Sequence, residues 1–327
     1  MALAMLAPHM TQTEQPDRGR TAAWPTAIPG LGWIDILRRL RREIAEDNLL
    51  LYASSFAFYS FLALFPALAA LLSLYGLFIN PTGVERMLDA GMGLLPDAAL
   101  KLLRQQVRAL AGYSARGLGV SLFVSLVFTL WAATNGVKSL IAGLNAAYEQ
   151  RETRGFLRLN GTAIAMAALG IVFVLVALAL IAALPPLFKW FDVLPAKRVI
   201  AWLRWPILTA AMVLALAVVY RFGPCRRLAR WRWVSGGAAL ATLLWIGVSI
   251  LFSLYVANLG AYDRAYGTLG AIVVLLLWFY LSALVVLLGA EFNAEVERQT
   301  AVDTTIGPAR PRGQRGATIA DAVGNDG

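Results

Sequence analysis

The stretch Thr268–Ala290, TLGAIVVLLLWFYLSALVVLLGA, runs for 23 residues without a charged side chain. A bilayer's hydrocarbon core, about 30 Å thick, is crossed by roughly 17–25 apolar residues of helix. Working outward from this stretch, five more apolar runs of similar kind appear: Leu49 to Ile79, Leu118 to Ala133, Gly161 to Leu184, Trp205 to Tyr220 and Val234 to Val256. Lipid offers backbone amides no partner, so runs of this length satisfy their hydrogen bonds internally, as helices. The expected fold is all-α: a polytopic bundle of six transmembrane helices plus interfacial amphipathic helices.

Composition agrees. The chain of 327 residues is 59% hydrophobic and 15% charged, against about 25% charge in soluble domains. Six spans leave little of the chain for a separate soluble domain, so the expected organisation is a disordered tail over 1–30, a membrane domain over 31–298 and a second disordered tail over 299–327. The net charge of +10 suits a membrane protein whose basic residues set orientation and meet anionic lipid of the inner leaflet, rather than a nucleic-acid partner. One cysteine, Cys225, excludes an internal disulfide, and one histidine, His9, lies in the amino-terminal tail. The apolar start Met1 to Met10 lacks the basic region of a signal peptide and reads as a loose terminus.

Basic residues predict the orientation. With six crossings both termini share a side, and 19 of the 29 basic residues fall on it. Arg221, Arg226, Arg227, Arg230 and Arg232 crowd the short loop before the fifth span, whereas the loop after it carries only Arg264. Short loops weigh most in the positive-inside rule. Both termini are therefore expected in the cytoplasm.

Amphipathic stretches lie between the spans. Trp33, Leu37, Leu40 and Ile44 recur at helical spacing among Arg38, Arg39, Arg41 and Arg42, the pattern of a helix lying on the inner leaflet. Leu100, Leu103, Val107 and Leu110 form a stripe in the loop from Asn80 to Gly117, with a shorter one at Val84, Met87 and Leu88. Val137, Leu140, Ile141 and Leu144 make a third, just after the second span. The tail from Thr300 is rich in Gly, Pro, Arg and small polar residues, a composition of disorder.

Few residues offer chemistry. Ser55, Tyr59 and Ser60 put hydroxyls into the first span, where Pro66 removes an amide donor in mid-membrane. They suit either close helix packing or a polar strip lining a cavity. Asn135 and Lys138 lie just past the second span on the same side as Glu291, Asn293 and Glu295. A carboxylate at the membrane boundary is costly unless it meets water or a cation, which makes Glu291 a site candidate. The candidate polar cavity is thus Ser55, Tyr59, Ser60, Pro66, Asn135, Lys138, Glu291 and Asn293. Asp263 and Arg264, with Tyr262 and Tyr266, form an ion pair and aromatic belt in the last outside loop. No Walker A or dinucleotide glycine motif is present. Metal-assisted hydrolysis wants several carboxylates or histidines together, so no enzyme, cofactor or metal is expected. Small-residue faces at Ser235 to Ala241 and at Gly267 and Gly270 would serve subunit contacts as readily as internal packing. A homo-oligomer or an envelope partner stays open on that ground.

Several blocks together resemble the YihY/BrkB family of bacterial inner-membrane proteins. They are Ala57-Phe58-Tyr59 with Leu64-Phe65-Pro66, Asn135 to Tyr148, Tyr255, Tyr266 to Ala271, Leu277 to Tyr280, and Gly289-Ala290-Glu291-Phe292-Asn293-Ala294. The resemblance covers about residues 33–298. It implies a six-span membrane fold and a role in handling or transporting lipid or another amphiphile of the envelope, with a non-transporting scaffold or assembly factor as the alternative. Members have carried a ribonuclease BN label and a virulence or serum-resistance label, and the family supplies no agreed active-site residues.

Overall fold

A computed structural model describes residues 17–78, 115–182, 194–258 and 268–324. His9, the Met1 to Met10 start, the stripes at 84–88 and 100–110 and the Asp263–Arg264 pair lie outside the described residues. Helix α1 is Gly30–Glu46, preceded by a 3-10 turn at Pro25–Ala27. Six long helices follow: α2 Leu49–Phe78, α3 Ala115–Ala147, α4 Phe156–Ala182, α5 Leu194–Phe222, α6 Trp231–Asn258 and α7 Thr268–Arg298. Each of α2 to α7 holds a segment long and apolar enough to cross a bilayer. The chain is an all-α polytopic membrane protein.

The helices alternate in direction, so both described termini meet the starts of α2, α4 and α6 and the ends of α3, α5 and α7 at one end, here the terminal face. There α7 is central, packing on α1, α2, α3, α6 and the short helix α8, Thr318–Asp321. Helix α2 continues unbroken past Pro66. Helix α3 absorbs both the second span and the stripe expected after it, because nothing between Ala133 and Val137 stops a helix. Gly136 is instead used for contact: a Cβ there would lie 3.3 Å from the Cβ of Tyr59.

Burial is uneven along the bundle. On the terminal side Leu49, Ala53, Leu144, Tyr220, Val234, Ala238, Ala241, Leu287, Ala290 and Ala294 form one core. Toward the other end, among the described residues of 58–73, 119–131, 164–177, 203–215, 243–256 and 270–282, only Ala70, Ser73 and Gly270 are buried. Residues 274–282 of α7 are all half-buried, whichever way they point. A helix central to a tightly packed bundle would be buried on every side, and one packed along a single face would alternate buried and exposed residues every three or four positions. The bundle is tight at its terminal face and loose beyond it.

Three elements differ from their sequence pattern. Helix α1 was expected to bury Trp33, Leu37, Leu40 and Ile44 in the leaflet; instead it docks on α7 through Gly32, Asp35, Ile36, Arg39 and Glu43. Leu37 is 57% exposed, and Leu31 and Ile34 share its outward face. Ion pairing with α7 decides which face is buried. Residues 17–30 and 299–324, expected to be disordered, pack across the terminal face. Ala301 N–H donates to the Arg20 carbonyl (2.7 Å), and a bridge pairs Ala229 with Thr305. Their turns are held by Asp303, which accepts from Thr305 and Arg310 N–H, and by Arg315, which donates to the Ala320 and Ala301 carbonyls. Composition reports burial of apolar surface only, and this strap is built from polar groups satisfying backbone.

Candidate functional site

The sequence candidates separate into two groups. Ser55, Tyr59, Ser60, Asn135 and Lys138 lie along the contact of α2 with α3. The Ser55 and Ser139 hydroxyls bond at 2.8 Å, and Ser73 donates to Ser121 at 3.2 Å. The Tyr59 ring meets Trp131 edge-on with centroids 6.1 Å apart. Asn135 donates back to the Trp131 carbonyl of its own helix (2.9 Å), and the Lys138 ammonium sits 5.7 Å from the Phe156 ring centre. Ser60 is half-buried, and Pro66 lies further along in the loose half of α2. The Ser55 and Tyr59 contacts join α2 to α3, the Asn135 bond stays within α3, and Lys138 reaches the first residue of α4.

Asn293 has a different duty. It accepts from Gly237 N–H (2.6 Å) and donates to the Val234 carbonyl (3.1 Å), satisfying backbone at the start of α6. Beside it α6 and α7 touch backbone to backbone, since a Cβ at Gly237 would run into the Gly289 carbonyl and one at Gly289 into Tyr220 and Ala241. The small residues at Gly237, Ala238, Ala241 and Gly289 are thus consumed by internal packing.

Glu291 belongs to a charged cluster that closes the terminal face. Arg39 Nε reaches Glu295 at 2.5 Å, and its NH2 donates to Gln299 Oε1 at 2.7 Å. Arg298 pairs with Glu43 (3.2 Å), Glu295 (3.3 Å) and Glu149. Arg226 makes a two-pronged pair with Glu297 (2.8 and 2.5 Å), its guanidinium 4.9 Å from the ring centre of Tyr148. Thr304, from the strap, also donates to Glu297. Glu291 is 1% exposed and one of its oxygens has no hydrogen-bond partner. Its neighbour is another carboxyl, Asp47, at hydrogen-bonding range in the turn between α1 and α2. Burial, offset in part by that contact and reinforced by Glu43 and Glu149, pushes Asp47 up to about 6. Tyr148 is fully buried, its hydroxyl beside Asn293 and Glu291, and burial raises its pKa.

A second node ties the loops. Asn145 donates to Glu152 (2.9 Å) and accepts from Cys225 N–H (2.7 Å). Arg154 bonds both oxygens of Glu152 and the Gly223 carbonyl. Hydrogen bonds from Arg154 hold Glu152 down to about 2.

Glu291 was legible as a boundary carboxylate. Its partners Asp47 and Glu43, and the buried Arg39, Tyr148 and Arg226, were not. Arg39 and Glu295 are 256 positions apart, a pairing that periodicity cannot reveal. The one sequence sign was a charged row, Asp35, Arg39 and Glu43, at the four-residue spacing of a single helical face.

The chain is thus a six-span helical membrane protein whose terminal face is closed by ion pairs. Residues 40–314 match the family described as Virulence factor BrkB, and the chain belongs to that family. It is 31% identical over 257 residues to a Bacillus subtilis (strain 168) protein named ribonuclease-like protein YfkH, covering 76% of this chain and 90% of that one. It is 27% identical to a UPF0761 membrane protein of Delftia acidovorans and 28% to one of Chlorobium luteolum, spanning 66% and 57% of their lengths. No solved structure matches it. The match extends into the strap, past the end of α7.

Proposed function

We propose that this protein handles an amphiphile, most simply a phospholipid, within the bacterial inner membrane, holding it in the loose half of the bundle while the charged end stays sealed. The observation that carries this reading is the contrast along α7. Residues 274–282 are half-buried on every side, whereas the described core from Ala283 onward is closed by Gly289 against Gly237 and by ion pairs. Gaps between apolar helices within a bilayer are filled by acyl chains. Polar side chains there that keep some exposure, among them Ser121 and Ser282 beside Trp245, give a headgroup or glycerol sites for hydrogen bonds at little desolvation cost.

The terminal face lies in the cytoplasm, following the distribution of arginines. On this reading the outward face of α1 rests on the inner leaflet, with exposed Leu31, Ile34 and Leu37 in the interface and exposed Arg38, Arg41 and Arg42 against anionic headgroups. The name of the Bacillus relative raises nuclease activity. Glu43, Glu295 and Glu297 are each engaged by arginine, and among the described residues no group of three or more acidic, histidine or cysteine side chains is arranged to hold a metal ion, so two-metal cleavage gains no support there. Liposomes carrying purified protein should move a labelled phospholipid between leaflets faster than protein-free liposomes. Equal rates across several headgroups would defeat the proposal.

One feature favours assembly as a second reading. Helix α4 has a single buried described side chain, Ala163, and exposes Gly161, Ala165 and Ala168 on its surface. Small residues at this spacing let a second helix approach closely in lipid. Native mass spectrometry from nanodiscs should then show a dimer that Gly161→Leu dissociates; a monomer in wild type removes this reading.

A further inference from the structure

We propose that Glu291 and Asp47 form a proton-binding site that holds one shared proton at the sealed end of the bundle. The inference stands on geometry at the terminal face and is independent of the amphiphile reading.

Glu291 projects from α7 into a fully enclosed position, and one carboxylate oxygen has no donor. A buried carboxylate without partners is strongly disfavoured against its protonated form. The carboxyl of Asp47 lies at hydrogen-bonding range of it, and two carboxyls meet at that range only with a proton between them. The local cations are already committed. Arg39, from α1, is spent on Glu295 and Gln299, and Arg298, from α7, on Glu43, Glu149 and Glu295. Arg42, on the outer side of α1, reaches Glu43 and Glu46, and Arg226 is occupied by Glu297. From the end of α3, Tyr148 presents a buried hydroxyl without a partner. Every element packed on Glu291 therefore brings it a carboxyl, an engaged guanidinium or a phenol, and no free positive charge among the described residues.

With the proton in place, Glu291 and Asp47 satisfy each other and the seal carries less negative charge. When it leaves, both carboxylates face Glu43, Glu149 and Glu295 with only Arg39 and Arg298 to offset them. Repulsion then falls on the turn between α1 and α2 and on the end of α7, the two places where the seal is anchored. The occupant is a proton because the pair itself offers two carboxyls beside a phenol, and among the described residues no group of three or more acidic, histidine or cysteine side chains is arranged to hold a metal ion.

Infrared spectroscopy of the protein in nanodiscs tests this. Wild type at pH 7 should show a protonated-carboxyl C=O stretch that disappears in Glu291→Gln and persists, shifted, in Asp47→Asn. Glu291→Gln mimics the protonated form and should fold, with a thermal midpoint at pH 8 equal to or above wild type and a smaller drop between pH 5 and pH 8. Absence of the band in wild type, or a band untouched by Glu291→Gln, overturns the proposal. So does a wild-type midpoint that rises with sodium or calcium at fixed pH and loses that response in Glu291→Gln, since the occupant would then be a metal cation.

Discussion

Removing Glu297 should unseat the strap and loosen the whole terminal face. Arg226 and Glu297 are each about 1% exposed at the side chain, and two short hydrogen bonds join them. Replacing Glu297 by glutamine keeps the shape but leaves the Arg226 guanidinium buried without a counter-charge, and it weakens the acceptor for Thr304. Breaking one partner of such a pair costs about 3–5 kcal/mol, whereas exchanging both for apolar residues of like volume is often neutral or better. The double variant Arg226→Met with Glu297→Met should therefore recover most of the loss suffered by Glu297→Gln. The Tyr148 ring under Arg226 accepts a methionine side chain readily. Equilibrium unfolding in mixed micelles gives the three midpoints, and limited trypsinolysis at Arg315, which is buried while the strap is seated, reports whether the strap has come away. A Glu297→Gln protein as stable as wild type would refute the reasoning. So would a double variant as damaged as the single one, because the cost would then come from something other than an orphaned charge.

Other outcomes follow from the same contacts. Gly289→Ala should destabilise by about 1–3 kcal/mol through overpacking, while Gly236→Ala, whose Cβ would meet only Phe292 at 3.7 Å and Asn293 at 4.0 Å, should be close to neutral in the same assay. Asn145→Ala strips the partner from the Cys225 N–H and removes one donor from Glu152, and should cost about 1–3 kcal/mol, measured by thermal midpoint. Asp47 has its carboxyl raised to about 6 by burial, so it holds more protons folded than unfolded. Its contribution is complete below about pH 4 and lost as pH rises through 6, and Asp47→Asn should flatten the thermal midpoint over that window. Glu152 is held down to about 2, which reverses the sign. Its contribution is present above about pH 4.5 and lost as pH falls toward 2, an acid-side loss that Glu152→Gln should abolish.

The spans were legible because a bilayer imposes a length and excludes charge, and both are local properties of sequence. The exposed face of α1 was misplaced because spacing cannot distinguish lipid from a protein partner bearing the opposite charge; Arg39 finds Glu295 only after six crossings bring α7 back. The strap was invisible for a related reason. Asp303, Arg315 and Asp321 order Gly- and Pro-rich chain by bonding its backbone, and Arg227 N–H donates to the Gly316 carbonyl from another loop. Among the candidate residues, Glu291 stood out because a carboxylate at a membrane boundary needs an explanation anywhere. Ser55, Tyr59 and Asn135 stood out for their polarity; the geometry gives Ser55 and Tyr59 helix-packing contacts between α2 and α3, and turns Asn135 back onto its own helix. Asn293 could not be told from a ligand-binding amide until Gly237 was seen opposite it.

The asymmetry of α7 is tested most directly by placing a photo-activatable diazirine side chain at successive positions along it, on protein in lipid nanodiscs, and reading lipid adducts by mass spectrometry. Every position from 274 to 282 should form lipid adducts, while Val285, Leu287, Ala290 and Ala294 form none. Lipid adducts recurring only every three or four residues across 274–282, as on a helix packed along one face, would contradict an open half in which an amphiphile can lodge.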